Sequence, residues 1–261
     1  VDGELLDHSI TSLTLDESYG HKTVEAYYTT SWYVDAEHGN DEADGMTPAT
    51  ARLTFEKAMS LPLVKGDTLH AARGRYAAGR MKQPQSAHYW TGDGTVHFIA
   101  GEIEVDGLKD TGYNGDLKFV GDKAGTTLKA KSARSVFAVT GVSAKRTWRN
   151  LKFTDAAAGV SEKADGGAIS MVGGSLSIEG CTFADCVGGH LGGAVFAARL
   201  AENSTITNST FSGNAVDAYN GLGGAVYASA AAEGVTLAVA DSAFADNAAF
   251  NGGAIYAETK A

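Results

Sequence analysis

Gly166-Gly167-Ala168-Ile169, Gly192-Gly193-Ala194-Val195, Gly223-Gly224-Ala225-Val226 and Gly252-Gly253-Ala254-Ile255 are one phrase written four times in the last hundred residues of this 261-residue chain. The steps between copies are 26, 31 and 29 residues. Between them runs a second phrase, an aromatic followed by a small polar turn: Phe153-Thr154-Asp155-Ala156, Phe183-Ala184-Asp185-Cys186, Phe211-Ser212-Gly213-Asn214 and Phe244-Ala245-Asp246-Asn247. Two phrases alternating in fixed order form an internal repeat. A repeat of this length implies stacked units, each burying its apolar face against its neighbours.

Helical repeats would need helix formers with apolar spacings of three and four. Here the units are Gly-rich and carry strand-like pieces such as Ser175-Leu176-Ser177-Ile178-Glu179 and Val235-Thr236-Leu237-Ala238-Val239, which favours a β-solenoid. Each strand then lies about 4.8 Å above the one before. Phe153, Phe183, Phe211 and Phe244 are expected to form one interior stack, and Asn214 and Asn247 a short amide ladder. The glycine pairs fit sharp bends or close backbone approach.

The alternation of Gly-Gly-Ala-[Ile/Val] with Phe-x-x-Asn resembles the repeat of the chlamydial polymorphic outer membrane proteins and related autotransporter passengers. It covers roughly residues 150 to 258, with Ala156 and Cys186 standing where Asn is expected. The resemblance implies a right-handed parallel β-helix displayed at a bacterial surface and working in adhesion. A second likeness lies near the N-terminus. Trp32-Tyr33-Val34-Asp35 reads as a strand, residues 39–45 as a polar loop, and Thr47-Pro48 as a helix start with Thr as N-cap. An amphipathic helix bearing Phe55, Ala58 and Met59 follows, then Lys65-Gly66-Asp67 and the strand Thr68 to Ala72. This order resembles the start of secreted right-handed β-helix proteins of the pectin-lyase-like class, many of them polysaccharide lyases.

The expected fold is therefore all-β: a single right-handed parallel β-helix, with residues 1–67 forming a cap that includes one short amphipathic helix and residues 68–261 the coils. Strand-like segments Ile10-Thr11-Ser12-Leu13-Thr14-Leu15 and His21-Lys22-Thr23-Val24-Glu25-Ala26-Tyr27 are expected to cover the first coil. The chain breaks off directly behind a repeat phrase, so its C-terminal end is expected to continue or to be covered by another chain.

Lys and Arg total 21 against 31 acidic residues, a net charge of −10, which argues against nucleic acid as partner. No apolar run approaches a membrane span. The 33 glycines against 3 prolines suit tight coils. For Cys181 and Cys186 the readings are a disulfide across one turn or two small buried side chains. An extended intervening strand separates their Cα atoms too far to bridge, which favours free thiols.

Binding chemistry is expected on the outside. If Ile169, Val195, Val226 and Ile255 point inward, alternation turns Ser170, Phe196, Tyr227 and Tyr256 outward; a phase error of one residue would bury that column. Three stacked aromatics would bind sugar rings or a partner protein. Arg73, Arg75, Arg80 and Lys82, followed by Tyr89 and Trp90, form a basic and aromatic stretch suited to an anionic sugar, or a solvated loop. Asn40-x-Glu42-x-Asp44-Gly45 imitates the start of an EF-hand loop, but Ala51 stands at position twelve where Glu is required. A looser calcium cage of Asp35, Asp41 and Asp44 is the remaining metal candidate, against a simple turn-forming loop. Asp155, Asp185 and Asp246 share one repeat position. Likeness to the β-helix lyases implies the alternative function, a calcium-dependent polysaccharide lyase or glycoside hydrolase, in which Asp155 and Asp185 hold calcium and Arg149, with Lys152 close in sequence, removes a proton. The principal expectation is a non-catalytic, secreted or surface-displayed β-helix that binds a polysaccharide, a host glycan or a host protein. Sequons at Asn203 and Asn208 bear on this only in a eukaryotic source.

Overall fold

The computed structural model describes residues 30–61, 66–76, 80–81, 94–105, 107–111, 115–123, 125–130, 134–157 and 164–259. Short strands and glycine-rich corners wind into a right-handed parallel β-solenoid with three faces. The first face stacks Arg80–Met81, Leu108–Thr111, the front halves of Phe137–Arg149 and Ile169–Glu179, then Val195–Leu200, Val226–Ala230 and Ile255–Glu258. The second stacks Ser31–Val34, Thr68–Ala71, Gly94–Phe98 and Leu117–Gly121 beneath the rear halves of the same two long strands, with Ser204–Thr207 and Leu237–Ala240 above. The third runs from Gly74–Tyr76 through Gly101–Val105, Thr126–Ala130, Leu151–Thr154, Thr182–Ala184 and Thr210–Ser212 to Ala243–Ala245. Every pairing is parallel, as successive coils of one hand require.

The core is built from columns. Phe153, Phe183, Phe211 and Phe244 stack with ring centroids 4.8, 4.6 and 4.7 Å apart and planes within 7° of parallel. Such rings contribute most of the apolar area a coil can bury. Asn214 is fully buried, and its Nδ2 donates to Asn247 Oδ1 at 2.8 Å and to the Phe183 carbonyl at 3.2 Å. Its Oδ1 accepts from the Cys186 N–H at 3.1 Å. The expected ladder is present, and Cys186 occupies its next rung. A hydroxyl ladder runs parallel to it: Ser209 Oγ accepts from Cys181 N–H at 3.1 Å, and Ser242 Oγ from Ser209 N–H at 3.2 Å. Both cysteines are free and buried, each replacing a polar rung at opposite ends of the strand Thr182–Ala184. Burial pushes the thiols up to about 11 for Cys181 and about 12 for Cys186.

The Gly-Gly phrase has two distinct causes. Its first glycine is left-handed in every copy, with φ of 73°, 64°, 70° and 62°. Its second has ordinary φ but no room. A Cβ at Gly193 would lie 2.0 Å from the Gly224 carbonyl oxygen, and one at Gly224 1.9 Å from that of Gly253. At Gly253, with no coil stacked beyond it among the described residues, the nearest atom is 3.5 Å away.

The coils do not vary in length uniformly. Ile178, Phe183 and Cys186, then Ile206, Phe211 and Asn214, then Val239, Phe244 and Asn247 keep identical spacings from the second face through the third. The corner before the second face grows instead, as seen from Ile169 to Ile178, Val195 to Ile206 and Val226 to Val239. The corner before the first face also varies, from Cys186 to Val195, Asn214 to Val226 and Asn247 to Ile255.

At the N-terminal side, Ser31–Val34 pairs with Thr68–Ala71 and is already a rung of the second face. Buried Asp67 fastens it, accepting from the Trp32 indole N–H at 2.9 Å and the Thr30 N–H at 2.7 Å. The helix expected from Thr47 onward is divided. Thr47 caps a single 3-10 turn, Pro48–Thr50, and Thr54 caps a separate helix, Phe55–Ala58, which buries Phe55, Ala58 and the following Met59. Asp41 forces the division by accepting the N–H groups of Leu53 and Thr54 at 3.0 and 2.9 Å, which a continuous helix would use internally. The segments 10–15 and 21–27, expected as cap strands, lie outside the described residues.

Candidate functional site

Ile169, Val195 and Val226 are fully buried, so the alternation phase is the expected one and Phe196, Tyr227 and Tyr256 point outward. Their rings stack at 5.5 and 6.0 Å with planes 19° and 6° apart. That stacking takes up both faces of Tyr227 and one face each of Phe196 and Tyr256. Tyr227 is only 7% exposed and donates its hydroxyl to Glu258 Oε2 at 2.8 Å. Burial first, and Glu258 second, push its phenol up to about 12. Registry extends this column in the other direction through Ser170, Ala138 and Lys109 to Arg80. The backbone of Arg80 therefore holds the register position of this column on the first face, while its side chain lies outside the described ones.

A second aromatic pair stands beside it. Tyr219 and Phe250, 91% and 63% exposed, lie with ring centroids 5.7 Å apart and planes 32° from parallel. They occupy the corners that lead into Gly223-Gly224 and Gly252-Gly253, where Leu191, Leu222 and Asn251 bridge one coil to the next. His190 stands in the corresponding corner of the preceding coil. The first glycine of the phrase, two residues after Phe250, packs against the outer column: a Cβ at Gly252 would lie 3.0 Å from the Cβ of Tyr256. Sequence reasoning missed this pair, although an aromatic shortly before Gly-Gly in two consecutive repeats was the available signal.

Other candidates are dispersed. Arg75 is ion-paired to Glu104 at 2.6 Å on the third face, beside Lys129 with Glu102 at 2.7 Å. Lys82, Tyr89 and Trp90 lie outside the described residues. Arg149 faces outward on the second face, paired with Glu179 at 2.7 Å. Asp155 and Asp185 stand at the far end of the third face, with the strand Leu151–Thr154, roughly 13 Å long, between Arg149 and Asp155. The structure does not bring these three together. The acidic column has a backbone cause: Asp155, Asp185 and Asp246 have φ of 52°, 54° and 55°, and Gly213 replaces them at 65°. Asp, Asn and Gly are the residues that tolerate this left-handed corner.

Asp35, Asp41 and Asp44 serve three separate turns. Asp35 Oδ1 accepts the N–H groups of Glu37 and His38, Asp41 Oδ1 those of Leu53 and Thr54, and Asp44 Oδ1 that of Met46. The pKa values of Asp35 and Asp44 are lowered: burial opposes the shift at Asp35, where the accepted hydrogen bonds outweigh it, and at Asp44 the Thr50 hydroxyl is the largest cause. Among the described residues no three His, Cys, Asp or Glu side chains converge as a metal cage. No helix of the described residues is long and apolar enough to cross a membrane.

The fold defines the molecule as a right-handed parallel β-solenoid. No protein-family model, curated protein or solved structure matches the chain.

Proposed function

We propose that the chain is a non-catalytic, surface-displayed β-helix of the adhesin or passenger type, which binds a glycan chain through its aromatic edge. The carrying observation is the Tyr219–Phe250 pair. Folding would bury rings of this size if they served only the core, and adjacent exposed aromatics on consecutive coils mark interaction surfaces. Their mutual tilt leaves ring face accessible for the apolar face of a sugar. Asp217, Asn220 and Asn251 in the same corners supply hydrogen-bonding groups for its hydroxyls. Lys109, further along the neighbouring column, favours a polymer carrying carboxylate or sulfate groups. A secreted or cell-surface location belongs to this reading.

The test is affinity electrophoresis and array binding against neutral and anionic polysaccharides, comparing the parent chain with Tyr219→Ala/Phe250→Ala. Retention by at least one polymer, lost in the double variant without a fall in Tm, supports the reading. Equal binding by both proteins, or no binding to any polymer, overturns it.

A further inference from the structure

Two histidines meet on the outer side of the second face, in the first coils. Registry stacks Tyr33, His70, His97 and Val120 in one column. The Nδ1 atoms of His70 and His97 are 3.1 Å apart, with ring planes at 89°. Tyr33 packs flat on the His70 ring at 5.2 Å and 20°. The His70 Nε2 lies 3.3 Å from Ser31 Oγ, and both imidazoles are half-buried.

We propose that His70 and His97 form a two-imidazole site for a divalent transition ion, of the copper, nickel or zinc kind. Imidazole nitrogen suits these ions, which it binds at about 2.0–2.1 Å. An ion at that distance from two nitrogens 3.1 Å apart subtends an N–metal–N angle of about 98°, between octahedral and tetrahedral values. A ligating imidazole commonly donates its remaining N–H to a second group, which fixes ring and tautomer. Ser31 Oγ is placed to accept from Nε2–H of His70. That tautomer leaves Nδ1 of His70 bare, facing Nδ1–H of His97. When the ion binds, the proton on Nδ1 of His97 moves to its Nε2 through solvent, so both rings stay neutral and both Nδ1 lone pairs become ligands. Tyr33 on one side and Val120 on the other limit the column to these two rings. Water completes the coordination on the open side. Lys118, in register with Thr95 on the same face, is a nearby like charge.

The site is tested on the full chain, without a polyhistidine tag, by calorimetric titration with Cu2+ and Zn2+ and by electron paramagnetic resonance of the Cu2+ complex. Variants are His70→Val and His97→Val, the latter copying Val120 in the next rung, with His38→Ala/His190→Ala as control. Expected are one equivalent bound in the parent and control, a two-nitrogen hyperfine pattern, and weakening of about 10–100-fold or more in either single variant, since loss of even an outer partner costs that much. Stoichiometry and affinity unchanged in both Val variants, with Tm preserved, would place the ion elsewhere and overturn the assignment. So would failure of the parent to bind either ion more tightly than the double variant His70→Val/His97→Val.

Discussion

Arg146 and Asp110 are both fully buried inside the solenoid, joined by Nε to Oδ2 at 2.6 Å. Arg146 Nη1 also donates to the carbonyls of Gly115 and Lys145 at 2.8 and 3.1 Å, tying the corner between the first and second faces to the core. Registry supplies the apolar equivalents: Asp110 pairs with Val139, and Arg146 lies between Leu117 and Leu176. Asp110→Val or Arg146→Leu alone breaks this buried ion pair by removing one partner, at a cost of about 3–5 kcal/mol. For a domain of this size that lowers Tm by roughly 6–20 °C. The double variant removes both charges; replacing a buried pair by apolar residues is neutral to about 1–4 kcal/mol favourable, and the orphaned Gly115 carbonyl subtracts about 1–3 kcal/mol. It should therefore fall within roughly 3 kcal/mol of the parent, far from the sum of the single variants. Urea and thermal melts followed by circular dichroism measure all four corners of the cycle. Single variants that lose less than about 1 kcal/mol, or a double variant as damaged as the two singles added, would refute the reasoning.

Gly193→Ala should destabilise by about 1–3 kcal/mol or more, because its Cβ meets the Gly224 carbonyl at 2.0 Å, whereas Gly253→Ala, at the same repeat position, should be neutral or gain up to about 1 kcal/mol from the unfolded chain; paired thermal melts decide, and equal effects would sink the steric account. Asn214→Ala leaves the Cys186 N–H unpaired and should cost roughly 1–3 kcal/mol, with faster amide exchange at Cys186. Cys181 and Cys186, whose thiols burial holds at about 11 and about 12, should resist an aromatic disulfide reagent at pH 8 in the folded chain and both react in guanidinium; rapid labelling of the native protein would contradict their placement.

The repeat was legible because columns preserve residue type. Phenylalanine above phenylalanine and asparagine above asparagine announce a stack before any geometry is known, and small apolar residues after Gly-Gly set the inward phase. Arg146 was not legible, because a charged residue in a strand reads as outward, and only strict alternation with Trp148 reveals that both face in. The acidic column was visible as charge, while its cause, a positive φ, belongs to the backbone. His70 and His97 are 27 residues apart, within the range of the later repeat steps, but no repeated phrase in the early coils marks them as one column. The helix division at Thr54 depended on Asp41, thirteen residues away, a contact that local helix signals do not encode.

The unequal corners carry an evolutionary implication. From Trp148 onward the path from the second face through the third keeps one length beside the phenylalanine stack and the asparagine and serine ladders, whereas it is longer from Val96 to Ile103 and from Phe119 to Leu128 in the earlier coils. Both corners bordering the first face escape that discipline, and the chain has already accepted different lengths there from coil to coil. In the last coils the first face is thus framed by two margins of unequal length on a frame of constant length, much as loops sit on a rigid scaffold. Selection, or a protein engineer, can reshape the margins of that face one coil at a time without disturbing the stacked columns.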